Sequence, residues 1–351
     1  MSASRVRRQR QRPPWRTLTA VTLAAALPLL TGCDVEWGGV QVKLQEPEYR
    51  REAPAEAAAE GQAERAPLEL PSGVLAFHVS RLDAAGMAAI EPIAELRDGN
   101  LRPVGPQRAE EADEYSSAFI RGHYRAEQAY ALYRGAGRVG TFYVRAPAIA
   151  GSGLCLELRA LGQLELRPRA DTLSEFLAWP PGVRAGDEGF RPPTYREDML
   201  ELSQVLVRRG VSDGAVAGDW RFGVPSDLRA LDVGTGPLGF AATFMIGDSL
   251  AVGPPGSAAG SAFVVADYAP SRGYFPLYMD AAWYEPGRKR ALRWVDAVDM
   301  LGDASAEWVV QAYGDAGSWF EVLVGRAGTV EVLWSGRRPV CEAREAQPGG
   351  R

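Results

Sequence analysis

The stretch that decides the fold reads WVVQAY at 308–313, WFEVLV at 319–324 and TVEVLW at 329–334. Each run is rich in Val, Trp, Phe and Tyr, the residue types that favour β-strands. The links between the runs read GDAG and GRAG, which are typical of tight turns. The pattern predicts an up-and-down antiparallel meander, which is the size of one propeller blade.

A loop with spaced acids precedes this meander and reads DMLGDASAE at 299–307. Together with the following strands, residues 294–334 resemble the Asp-x-Asp-Gly-Asp-Gly-x-x-Glu repeat of integrin-type propellers, in which alternate carboxylates bind calcium. The resemblance implies a calcium site formed by Asp299, Asp303 and Glu307. Leu301 replaces the second acid and Ala304 replaces the second glycine, so we expect an ordinary hairpin turn and keep bound calcium as the alternative.

The other strand-like runs of the C-terminal half do not share the period of this repeat, whereas a propeller needs several blades of one period. These runs lie at 228–233, 240–246, 262–266, 276–283 and 291–298. We therefore predict that residues 215–344 form a C-terminal antiparallel β domain, a sandwich, with a propeller-like arrangement as the alternative.

Residues 70–168 carry the same kind of signal. The run at 74–79 predicts a strand, and the run at 90–104 predicts a hairpin around Asp98-Gly99. A second hairpin is predicted at 129–144. This segment is expected to form an N-terminal antiparallel β domain, either a sandwich or barrel-like.

Residues 169–214 differ in kind, and we interpret them as a connection of loop and helix. Two stretches match the capping-box pattern at a helix start, 172–175 and 194–197. The second opens a helix that ends at Gly210. Its expected buried face consists of Met199, Leu202, Val205 and Leu206. The predicted fold is thus mostly β, with two antiparallel β domains joined by a helical connection.

The N-terminus has a different role. Residues 1–16 contain six Arg and no acid, and residues 17–30 are apolar or small. This order is typical of a secretory signal. The following LTGC at 30–33 resembles the lipobox of bacterial lipoproteins, which implies a signal peptide at 1–32, acylation of Cys33 and attachment to a membrane of the cell envelope. An uncleaved N-terminal anchor is the alternative.

The segments at the two ends of the predicted body are expected to be disordered. Residues 45–68 are rich in Ala, Glu and Pro and contain Tyr49 as their one aromatic residue. Such a segment buries too little apolar surface to fold alone. We interpret residues 33–69 as a lipidated N-terminus and tether, and residues 345–351 as a disordered tail.

Charge excludes one class of partner. Removal of residues 1–32 takes away six Arg and no acid, and leaves 33 basic against 44 acidic residues. A mature chain of net charge −11 is poorly suited to nucleic acid, whose phosphates must be neutralised by Lys and Arg. Attraction to anionic lipid is also unfavourable, so the acyl chains are expected to hold the protein to the membrane.

The number of cysteines limits which disulfides and metal sites the chain can form. Apart from Cys33 the chain holds only Cys155 and Cys341, and such a pair of thiols can oxidise to a disulfide outside the cytoplasm. A buried Cys155 that acts as a small apolar residue is the alternative. Two cysteines and two histidines distant in sequence do not suffice for a closed zinc site.

No catalytic residue is nominated, because no nucleophile motif, phosphate loop or metal-ligand spacing stands out in the sequence. We expect a non-catalytic role in binding, scaffolding or assembly at the cell envelope. The expected partner is an envelope protein or a glycan. The alternative is an envelope hydrolase that cleaves glycan or peptide through carboxylates that the sequence does not single out.

Overall fold

The computed structural model of the protein describes residues 67–135, 137–184, 190, 193–231, 239–326, 329–338 and 341. Residues Ala66–Arg351 form one compact unit, and the features below belong to it. It is mostly β with antiparallel sheets, which confirms the predicted class. The predicted signal peptide, Cys33, most of the tether and the predicted tail lie outside the described residues.

The first sheet is a closed six-stranded barrel. Its strands are β1 (Val74–Arg81), β2 (Met87–Arg97), β4 (Ala129–Arg134), β5 (Gly137–Pro147), β6 (Ala160–Leu166) and β7 (Glu175–Trp179). The short β3 (Asn100–Arg102) pairs antiparallel with the end of β2. The order is β1-β7-β4-β5-β6-β2, and pairing of β2 with β1 closes the ring. Asp98 and Gly99 connect β2 to β3 with φ values of 53° and 72°, as a hairpin turn of the predicted Asp-Gly type requires.

Large side chains fill the barrel, and one helix packs against this core. The buried interior includes Phe77, Tyr130, Phe142 and Phe176. The helix α1 (Ala112–His123) adds further buried aromatic residues to the same cluster. β5 and β6 approach closely at Gly162, where an added Cβ would lie 2.1 Å from the carbonyl oxygen of Tyr143. Glycine is therefore needed at this point of the barrel wall.

Two further sheets have four strands each. The first, in the order β11-β10-β9-β8, contains β8 (Asp227–Leu231), β9 (Gly239–Ile246), β10 (Ala259–Ala269) and β11 (Gly273–Tyr284). The second contains β12 (Ala291–Val298), β13 (Glu307–Tyr313), β14 (Ser318–Arg326) and β15 (Thr329–Ser335) in chain order. The second sheet thus contains the predicted meander, with β12 as an additional strand.

The sheet β12–β15 is covered on both faces. One face packs on the sheet β8–β11 through an apolar cluster that includes Phe263, Trp294 and Leu323. The other face packs on the outer wall of the barrel through a cluster that includes Leu177 and Val322. Because both faces are buried, its strands need apolar side chains in both directions, which explains why their sequences are nearly continuous apolar runs.

The predicted connection at 169–214 contains both a strand and a helix. The first capping-box match leads into β7, because all four residues of 176–179 are buried, alternately inside the barrel and against the sheet β12–β15. Burial on two faces overrides the local helix signal. The second match lies just before the helix α2 (Asp198–Asp213).

The helix α2 packs on the outer face of the sheet β8–β11, but with a face that differs from the predicted one. Its buried residues are Met199, Ser203, Leu206, Val207 and Val211. Val205 is 57% exposed, so its predicted place in the core was wrong. The buried positions recur at the helical period around Met199 and Leu206, and the polar Ser203 falls within this stripe because its hydroxyl donates to the carbonyl of Leu200.

Candidate functional site

The predicted lipidation site, Cys33, lies outside the described residues, so its acylation stays a prediction. Along the described part of the chain, no helix is long and apolar enough to cross a membrane.

Cys155 and Cys341 are joined by a disulfide with a Cα–Cα distance of 5.3 Å. Cys155 follows the barrel strand β5, and Cys341 follows the last strand of the sheet β12–β15. Arg338 lies beside this bond, and its guanidinium donates to the carbonyls of Val104, which follows β3, and of Leu154 and Leu156, which lie between β5 and β6. The disulfide and Arg338 therefore fasten the end of the described chain to the barrel.

The loop of the predicted calcium ligands is held by its own backbone amides. Asp299 accepts hydrogen bonds from the amides of Gly302, Asp303 and Ala304. Glu307 accepts from the amides of Met300 and Leu301, at 2.6 and 3.2 Å. Asp303 accepts from the amide of Ser305. These contacts are those of a tight turn between β12 and β13.

Glu307 is fully buried, and burial raises the pKa of its carboxyl. Within the described ranges, no group of three or more His, Cys, Asp and Glu side chains is placed to hold a metal ion. The calcium alternative at Asp299, Asp303 and Glu307 stays a prediction, and a chelator experiment addresses it below.

A chain of charged side chains, buried at its centre and partly exposed at its ends, lies where the barrel meets the sheet β12–β15. Glu175 of β7 is central, with its Oε1 atom 2.5 Å from Nη2 of Arg293 of β12. His78 of β1 is 3% exposed, and its Nε2 lies 3.8 Å from the same carboxylate oxygen. Arg229 of β8 approaches Oε2 of Glu175 at 3.6 Å. One carboxylate thus connects strands from all three sheets.

The chain of charges continues in two directions. Nδ1 of His78 lies 3.3 Å from Oε1 of Glu91 in β2, and Oε2 of Glu91 accepts from Nε of Arg159 at 3.1 Å. On the other side, Arg293 donates to Gln311 at 2.7 Å and to the hydroxyl of Tyr313 at 3.1 Å. We call the set His78, Glu91, Arg159, Glu175, Arg229 and Arg293 the joint network.

The joint network fixes the protonation of its members. Burial alone would lower the pKa of His78, but the carboxylates of Glu175 and Glu91 outweigh it and raise that pKa above its ordinary value. Burial alone would raise the pKa of Glu175, but His78 and Arg293 lower it well below the usual range. The two carboxylates therefore favour the protonated imidazole of His78, a form that has no free lone pair with which to act as a general base.

A cleft of about 380 Å³ opens beside the joint network, between the barrel and the sheet β12–β15. Its barrel wall includes Glu91, Glu157 and Arg159. Its sheet wall includes Trp319, Phe320 and Trp334. The Cys155–Cys341 disulfide and Arg338 line it as well. Glu91 belongs both to the cleft and to the joint network, and the ring of Phe320 lies 5.1 Å from the ring of His78.

The charged side chains that line the cleft are already paired or hydrogen-bonded. Glu91 pairs with Arg159, which also lies 3.6 Å from Glu157. The donors of Arg338 reach three backbone carbonyls. A hydrolase of the carboxylate type needs one carboxyl that donates a proton and a second carboxylate that attacks or activates water. Glu91 is ill suited to donate a proton, because His78 and Arg159 outweigh its burial and lower its pKa.

Sequence reasoning missed the cleft and the joint network. The cleft walls come from segments near 91–93, 155–159, 316–320 and 334–338 together with Cys341, which no local motif connects. The possible pairing of Cys155 with Cys341 was the one signal that pointed to this place. His78 lies within a predicted strand at 74–79, and nothing nearby in sequence marks Glu175 or Arg293 as its neighbours.

The chain gives no significant match to any protein-family model, to any curated protein or to any solved structure, so no relative's name bears on the cleft.

Proposed function

We propose that the protein is a lipid-anchored protein of the bacterial cell envelope that binds a partner and does not catalyse a reaction. The single observation that carries the binding role is the cleft between the barrel and the sheet β12–β15. Its volume lies within the range of ligand sites, about 300 to 1,000 Å³, and aromatic side chains face paired charges across it. The expected partner is an envelope protein or a glycan.

The anchor rests on the lipobox-like Leu30-Thr31-Gly32-Cys33 after an Arg-rich and an apolar segment. Residues 33–69 would then be a tether between the acyl chains and the first barrel strand. Palmitate labelling and membrane fractionation of cells that express the wild-type chain or Cys33→Ser test this part. We expect label and membrane association in the wild type and neither in the variant. Unlabelled wild-type protein would contradict the anchor.

We propose further that the body consists of two β modules, near 70–168 and 215–344, with 169–214 between them. The closed barrel and the pair of four-stranded sheets each have a core of their own, which supports this division. β7 adds the first part of the intervening segment to the barrel module.

The binding role is tested with the purified mature chain and a Trp334→Ala variant. The chains are immobilised and exposed to envelope protein extract and to a glycan array. We expect the wild type to retain one partner that the variant loses, with equal circular dichroism of both chains.

The rival role is an envelope hydrolase. Turnover of a glycosidase or peptidase panel that a single carboxylate substitution abolishes would replace the binding role.

A further inference from the structure

The two walls of the cleft differ in chemistry. On the sheet side, Phe320 and Trp334 lie on the same face of neighbouring strands, because Trp334 pairs with Val322 and Phe320 is two residues from it. Phe320 is almost fully buried and Trp334 is half-buried. The amide of Gly336 donates to the carbonyl of Phe320 at 2.9 Å. The aromatic wall is therefore built on paired backbone and is in place before any ligand binds.

The barrel side of the cleft is polar but has no net charge. Glu91 and Glu157 face Arg159, and Arg338 supplies the second positive charge. The guanidinium of Arg338 donates hydrogen bonds to backbone carbonyls. The side chains of Glu157 and Arg159 are 55% and 44% exposed, so both keep hydrogen-bonding capacity toward solvent. A strongly charged ligand gains nothing from such balanced charges, and it loses its own hydration on entry.

A ligand that suits both walls combines a flat apolar face with several hydroxyl groups and carries no net charge. Sugar rings have this combination, because their axial C–H bonds form an apolar face while their hydroxyls donate and accept at the edge. Aromatic side chains supply large contact area at low entropic cost. Side-chain carboxylates and guanidinium groups form the stronger hydrogen bonds to such hydroxyls.

From these observations we propose that the cleft binds an uncharged glycan segment, with a sugar face on the half-buried Trp334 and with hydroxyls on Glu157 and Arg159. This inference rests on the proposed binding function and names its ligand class. A peptide partner and an anionic glycan are the competing occupants that the experiment distinguishes.

The test titrates the purified mature chain with N-acetylglucosamine tetramer, cellotetraose, maltotetraose and a heparin-derived tetrasaccharide, by calorimetry and tryptophan fluorescence. We expect binding of at least one uncharged tetramer and none of the heparin fragment. Trp334→Ala should weaken that binding about ten-fold or more, as truncation of an aromatic anchor does. Glu157→Gln should weaken it by a smaller factor, about three-fold.

Val332→Ala is the matched control, because Val332 lies on the same strand, is 45% exposed and does not line the cleft. It should bind as the wild type does. Glu157→Gln keeps the test decisive if Trp334→Ala fails to fold, since Glu157 lies on the surface. Preference for the heparin fragment, or uncharged binding that neither cleft variant weakens, overturns the inference.

Failure of the inference is distinguishable from failure of the proposed function. If no glycan binds but an envelope protein is retained by the wild type and lost by Trp334→Ala, the glycan inference is wrong and the binding role stands. If neither glycans nor proteins bind through the cleft, both are wrong.

Discussion

The two faces of the sheet β12–β15 hold their neighbours with different arrangements of apolar and charged side chains. Toward the sheet β8–β11 an apolar cluster that includes Leu323 and Trp294 is accompanied by Arg290, which pairs with Asp280 of β11 and Glu321 of β14. Toward the barrel, apolar residues surround the joint network, in which Glu175 meets Arg293 and His78. An apolar contact tolerates small shifts, whereas a buried carboxylate between two cations has one satisfactory arrangement. We interpret the joint network as the feature that specifies how the barrel docks.

The largest expected effect comes from Arg293→Met, which leaves Glu175 buried without its closest cation. Breaking a buried pair from one side costs about 3–5 kcal/mol of unfolding free energy, as measured by urea denaturation. In a Glu175→Gln background the same substitution should cost much less, because no carboxylate at position 175 is then left buried without a cation. Equal costs in both backgrounds would show that the joint network does not act as a coupled unit.

Leu323→Ala is the matched substitution on the apolar face. A cavity at this fully buried position is expected to cost about 2–5 kcal/mol. Its cost should add to that of Glu175→Gln, since the two residues lie on opposite sides of the sheet and share no partner.

The second prediction concerns the Cys155–Cys341 disulfide, which joins the end of the described chain to the segment after the barrel strand β5. Cys155 and Cys341 are 186 residues apart in sequence. The Cys155→Ser, Cys341→Ser double variant should lose about 2–5 kcal/mol, because long closed loops restrict the unfolded chain most. Dithiothreitol should lower the Tm of the wild type and leave that of the double variant unchanged. A wild-type Tm insensitive to reductant contradicts the bond.

The third prediction is a pH dependence from His78. Its raised pKa means that its protonated form stabilises the fold. This contribution is complete below the ordinary pKa of about 6.5 and is lost as pH rises through the higher folded-state pKa. The partners Glu91 and Glu175 have lowered pKa values and stay ionised in that range. The wild type should therefore lose its advantage over His78→Gln as pH rises above the ordinary histidine pKa of about 6.5.

His123 provides the opposite case for the same titration. Burial lowers its pKa, so its neutral form stabilises the fold and its contribution is lost as pH falls. The difference between wild type and His123→Gln should shrink toward acid pH. Identical slopes for the two variants would falsify the assignment of His78 as a buried cation.

The smallest expected effect concerns the loop at 299–307. Because Asp299 caps the amides of this loop, Asp299→Ala should cost about 1 kcal/mol, as loss of a side-chain cap does. A chelator should leave the Tm of the wild type unchanged if the turn is held by these amides alone. A fall in Tm that added calcium reverses would establish the calcium alternative at Asp299, Asp303 and Glu307.

The local features of the fold were predictable because they depend on neighbours in sequence. The meander at 308–334, the turn at Asp98-Gly99 and the existence of a helix after residue 197 follow from periodicity and turn chemistry, although the helix continues to Asp213, past its predicted end at Gly210. β7 was not predicted as a strand, and Val205 was placed on the wrong helix face. Both errors arise where burial against distant strands overrides a local signal.

The candidate site was predictable only at Cys155 and Cys341, where the small number of cysteines limits the choice of partners. Glu175 and Arg293 are each one of many charged residues in the sequence. They form an ion pair because the packing of the barrel on the sheet β12–β15 brings them together. No spacing in the sequence encodes this contact.

The sequence by itself determined the mostly β class, the meander and the helix α2, because strand period, helix period and turn residues are local properties. Only the tertiary structure decided that the barrel closes, that one sheet is buried on both faces, and that His78, Glu175 and Arg293 meet beside an aromatic cleft. These features depend on contacts between residues that are far apart in the chain and that packing brings together. Buried charges must then find partners where the packing places them.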